Sequence, residues 1–94
     1  MSIYTETLKE LAKWSGKIDN ARITENDFVV LQREREAITE RYNKGYFNMK
    51  QRNSLRGIAE QLVDDARDVL RVNAEVKEIE REIRKQRLAE LRSA

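Results

Sequence analysis

The sequence predicts an all-α fold with three helices, in which the second and third form an antiparallel hairpin and the long third helix extends beyond it as a coiled coil. Three observations carry this expectation. Proline is absent from the 94 residues and glycine occurs three times, twice where an apolar stripe stops. Apolar residues recur three and four apart through most of the chain. Charged residues reach 38%, against roughly 25% in an average globular chain, which suits long solvated helices. The length fits one domain, residues 1–94, which divides into a bundle portion (1–71) and a coiled-coil-like extension (72–94).

The first helix is expected from Ile3 to Ser15. Tyr4, Leu8, Leu11 and Ala12 share one face, Glu6, Lys9, Glu10 and Lys13 the other, and Ser2 is the N-cap. Gly16 reads as a left-handed C-terminal residue, with Lys17 to Ile23 as a polar connector. The second helix opens on Thr24, whose hydroxyl accepts from the amide of Asn26 or Asp27. Glu25 and Asp27 complement the positive end of the helix dipole, and Ile23 is placed to pack on Phe28 as a hydrophobic staple. Phe28, Leu31, Ile38 and Tyr42 continue as its seam, interrupted by Arg35, and Gly45 ends it.

Asn48, with Gln51 three residues on, opens the third helix, and the short Gly45-Tyr46-Phe47 link makes the hairpin antiparallel. No stop signal follows, so the helix is expected to run to the C-terminus. Its seam reads Leu55, Ile58, Leu62, Asp65, Val69, Val72, Val76, Ile79 and Ile83, the spacing of a coiled coil. A second row, Ala59, Val63, Ala66 and Leu70, widens the apolar face of the first half only. If Tyr42 lies level with Gln51, residue numbers at facing levels of this antiparallel hairpin add to about 93. Thr24 then lies level with Val69, and Val72, Val76, Ile79 and Ile83 lie beyond the second helix. An apolar stripe of this kind wants a cover. Val69, Val72, Val76, Ile79 and Ile83 are therefore the expected interface with a second copy, giving a homodimer or higher oligomer.

Histidine and cysteine are absent, which excludes disulfides, imidazole or thiolate metal sites and the common nucleophilic triads. Asp64, Asp65 and Asp68 read as a solvated face, with Asp65 held in the seam opposite the start of the second helix. No enzyme activity, metal or cofactor is expected. Arg35, Tyr46, Phe47, Arg52 and Arg56 are the candidate contacts for a protein partner, with Arg35 within reach of Glu60 or Gln61. Arg52 with Arg56, and Arg67 with Arg71, form basic pairs, but acidic residues lie among them and the net charge is only +2. This argues against nucleic acid. No run is apolar enough for a membrane span and the N-terminus lacks the pattern of a signal peptide, so a cytoplasmic protein is expected.

The stretch from Leu31 through Tyr42, Gly45, Asn48, Asn53, Leu55 and Leu62 to Asp64 resembles the helical hairpin of the effector-associated, death-like adaptor domains of bacterial defence systems. The resemblance covers about a third of the chain. It implies homotypic recruitment of proteins, in bacterial defence or phage-host conflict, rather than catalysis. The expected function is thus a non-catalytic helical interaction module that self-associates and recruits or inhibits a protein partner, the alternative being a small helical nucleic-acid-binding protein.

Overall fold

A computed structural model describes residues 2–93, which are 88% helical and contain no strand. Helix α1 spans Ile3–Asp19, α2 Glu25–Asn43 and α3 Met49–Ser93. The expected limits of the single domain, Met1 and Ala94, fall outside the described residues.

Local chemistry sets the helix starts. Ser2 caps α1 by accepting from the Thr5 amide at 3.2 Å. Thr24 and Asp27 form a reciprocal capping box on α2, each side chain accepting from the other's amide at 3.1 Å. Asn48 and Gln51 do the same for α3, at 2.8 and 3.0 Å. Both turns between helices close as Schellman motifs. After α2, Gly45 donates to the Tyr42 carbonyl and Tyr46 to that of Arg41, with Gly45 at φ +84°. After α1, Ala21 donates to the Ile18 carbonyl and Arg22 to that of Lys17. There the left-handed position is held by an alanine, at φ +56°.

This end of α1 corrects the sequence expectation. Gly16 does not stop the helix, which continues one turn to Asp19. Ile18 lies seven residues after Leu11, and both are buried in the core. Burial of an isoleucine is worth about 1.5–3 kcal/mol, more than the roughly 1 kcal/mol that a glycine costs within a helix. The helix therefore runs through Gly16 to reach the core with Ile18.

α3 packs against both α1 and α2. Arg41 of α2 donates to Thr7 near the start of α1, and Lys17 near its end lies 3.8 Å from Asp27 at the start of α2, so α1 and α2 run antiparallel. The hairpin register follows from three cross-contacts: Arg56 with Thr39, Arg52 over Tyr42 and Arg67 over Phe28. Their numbers add to 94 or 95, one or two beyond the expected register.

The core joins Leu11 and Ile18 of α1, Leu31 and Ile38 of α2, and Leu55, Ala59, Leu62, Val63 and Ala66 of α3, with Ile23 and Phe47 closing its two ends. On α3, the row Ala59-Val63-Ala66 is thus central, whereas Ile58 stays 41% exposed. Two helices flank α3 on different sides, so its buried direction lies between them rather than along one heptad seam. Every residue from 74 to 93 is exposed. The molecule is 70 Å long and 19 Å wide, with a radius of gyration of 19.4 Å. A compact chain of this length would have about 12 Å.

Candidate interaction surface

The bundle ends where α2 begins. Ile23, Thr24 and Glu25 border an open groove along α3 from Leu70 to Glu80, and beyond it α3 projects as a free rod. Val72, Val76, Ile79 and Ile83 line one side of α3 from the last level of the bundle onto that rod, 46–59% exposed. Val69 departs from its expected role. It is partly buried against the bundle core and belongs to the bundle more than to the free stripe.

Seven-residue spacing extends the stripe upward, since Ile58, Asp65, Val72 and Ile79 fall on one side of the helix. At the upper levels this side forms an open groove of about 590 Å³ between α1 and α3, with Leu8, Ala12 and Ser15 on one wall and Gly57, Ile58 and Gln61 on the other. Asp65 lies in that groove. It accepts from Gln61 Nε2 at 2.9 Å and faces α1, not the start of α2 as the sequence led one to expect. The extra apolar row on α3 turns the helix so that its Ile58-Asp65 line meets α1.

The charges around the free stripe are sorted. Positions 68, 75 and 82 flank it on one edge and carry Asp68, Glu75 and Glu82; positions 73, 80 and 87 flank it on the other and carry Asn73, Glu80 and Arg87. Among the described residues Glu75 and Glu80 form no ion pair, and Glu82 reaches only Lys85 on its own helix, at 3.8 Å. The opposite side of the rod carries Lys77, Arg81, Arg84, Lys85 and Arg92. A stripe of β-branched residues with an acidic rim is backed by a basic face.

The candidate partner contacts fare differently from one another. Phe47 is 6% exposed and sits in the core, where no partner can reach it; the Schellman turn at Gly45 leaves Tyr46 outside, 53% exposed. Arg56 donates to Thr39 Oγ1 at 2.7 Å and lies 3.4 Å from Glu60, while Arg52 stacks over Tyr42 at 4.8 Å and donates to Asn53. Both arginines tie the hairpin together. Arg35 bonds Glu36 on its own helix at 3.3 Å rather than Glu60 or Gln61 across the hairpin. Arg67 and Arg71 pair with Asp64 and Asp68 one turn back.

Sequence reasoning missed one polar clasp. Thr7, 3% exposed, donates to the Ile3 carbonyl at 2.8 Å and accepts from Arg41 at 3.3 Å, joining α1 to α2. Its spacing is the available sign: Thr7 stands four residues before Leu11 and eleven before Ile18, on the buried face of α1. The Asp27 carboxyl is held below its ordinary value. The hydrogen bond from the Thr24 amide lowers its pKa most, desolvation opposes it in part, and the Thr24 hydroxyl and Lys17 add to the lowering. Among the described residues no group of three or more acidic side chains converges as a metal site, and no helix is long and apolar enough to cross a membrane. No family model, curated protein or solved structure matches the chain.

Proposed function

We propose that the chain is a non-catalytic helical interaction module: the three-helix bundle is a mount, and the free half of α3 is a pairing surface that self-associates and, in exchange, recruits a protein partner. One observation carries this reading. The stripe Val72-Val76-Ile79-Ile83 continues beyond both neighbouring helices and is left half-exposed in the monomer. Aligned β-branched residues at both seam positions of a helix gain by meeting a second helix. A second copy is the simplest such helix. Recruitment in defence or phage-host conflict, implied by the hairpin resemblance, is compatible with this arrangement.

The alternative, a nucleic-acid binder, receives less support. Arg52 and Arg56 are occupied within the hairpin, and Arg67 and Arg71 are paired with aspartates. Light scattering over a range of protein concentrations tests the proposal. The mass should rise from one chain toward two and stay unchanged when duplex DNA or RNA is added at low salt. A monomer at all concentrations, or a salt-sensitive shift with nucleic acid, would overturn it.

A further inference from the structure

Resting on the pairing role proposed above, we infer that the preferred occupant of the free α3 stripe is a basic-flanked amphipathic helix from another protein, recognised jointly by Val72, Val76, Ile79 and Ile83 and by the carboxylates of Glu75, Glu80 and Glu82. Charge complementarity selects this occupant. In a parallel pair of copies, Glu75 faces Glu80 of the second copy, and only Glu82 against Arg87 compensates. An antiparallel pair aligned to bury all four stripe residues sets Glu75 against Glu82. Neither orientation satisfies the acidic rim. A helix with lysine or arginine beside its apolar stripe meets Glu75, Glu80 and Glu82 with opposite charge in either direction.

These carboxylates are available for that purpose. Glu75 and Glu80 have no cationic partner within the described residues, and Glu82 has only its neighbour Lys85. The cations of the same segment lie mostly on the opposite side, so they do not neutralise the rim from within. Like charges across a helix pair discriminate against a partner, while opposite charges select for one. A second copy is thus a weakly held occupant that a basic helix displaces.

The test uses the full chain and two synthetic peptides of three heptads with the same isoleucine and leucine stripe, one flanked by lysines and one by glutamates. Fluorescence anisotropy at low salt should show the lysine peptide binding about tenfold more tightly or better, the sum of several exposed pairs, with the gap closing as salt rises. Sedimentation should show it converting the dimer into a one-to-one complex. The triple variant Glu75→Lys, Glu80→Lys, Glu82→Lys should reverse the preference while keeping its helix content. Two peptides that bind alike, or lysine-peptide binding that survives Val76→Asp with Ile79→Asp, would overturn the inference. If the chain still dimerises through the stripe under those outcomes, the pairing role stands and only the choice of occupant falls. If the stripe variant also changes neither mass nor binding, both fall.

Discussion

Replacing Val76 and Ile79 together by aspartate should abolish self-association and leave the bundle folded. Val72, Val76, Ile79 and Ile83 are 48, 46, 59 and 46% exposed, so their own helix already shields about half of each side chain. At about 1.5–3 kcal/mol for full burial, covering the remaining halves of eight side chains in a dimer gains on the order of 6–12 kcal/mol. Association costs an estimated 4–15 kcal/mol, so the wild-type dimer is expected at micromolar affinity or weaker. The double variant removes half of the gain and places four carboxylates in the seam, where charge is not readily buried. Sedimentation equilibrium at up to millimolar protein should therefore show a monomer. The bundle should hardly respond, because both side chains are exposed at its end and outside its core, and exposed substitutions usually change stability by no more than about 0.5 kcal/mol. In a domain of this size that moves Tm by about 2–4 °C. A dimer that survives the substitutions, or a Tm that falls by more than about 10 °C, would show that the stripe packs on its own bundle or pairs by another face.

Three further outcomes are expected. Ala21→Gly should stabilise the chain by about 0.5–1 kcal/mol, since a left-handed alanine costs roughly 1–2 kcal/mol and the added unfolded-state entropy returns only part of it; Gly45→Ala, at φ +84° with open space around its Cα, should lose about as much in chemical denaturation. Asp27→Asn should flatten the acid limb of the stability curve: the folded pKa of Asp27 is depressed, so its contribution is present above the ordinary carboxylate range and lost as pH falls through the folded value, as thermal melts between pH 2 and 6 would show. Replacing Arg52, Arg56, Arg67 and Arg71 by glutamine should leave no DNA or RNA affinity to lose in a low-salt binding assay, while the loss of the Arg56-Thr39 and Arg52-Tyr42 contacts lowers Tm by several degrees.

The parts of the fold legible in the sequence are those settled within a few residues. Thr24 with Asp27 and Asn48 with Gln51 announce their helices because a capping box needs only four consecutive positions. The free stripe was legible for a related reason: hairpin register and a fixed rise per residue decide where α2 must end. Gly16 was misread because whether a glycine stops a helix depends on what the next turn can bury, and Ile18 reaches the core only through a contact set by the whole bundle. The α3 seam was drawn too far toward Ile58 because a heptad pattern assumes one neighbour, whereas α1 and α2 approach α3 from different sides. Phe47 stands in the link between α2 and α3, where helical periodicity does not apply, and Arg35 bonds Glu36 by a side-chain orientation that spacing does not reveal.

The projecting rod owes its form to the bundle. Residues 74–93 alone would be about 30 Å of helix, near the length at which an isolated helix is marginal in water, because nucleation is costly. Here the nucleus is already paid for by the buried half of α3, and each further residue needs only propagation. Ion pairs three residues apart, Glu78 with Arg81 and Glu82 with Lys85, add a few tenths of a kcal/mol each. That support is local and shallow. Helical order should therefore weaken with distance from Leu70, and the stripe presents its first residues, Val72 and Val76, on the better-supported turns. Under the proposed pairing role, an arriving helix would meet a pre-formed start and consolidate the turns around Ile79 and Ile83 as it paired. Ordering the last turns would draw on binding energy, so the proposed pairing is expected to be weak and its occupants to exchange.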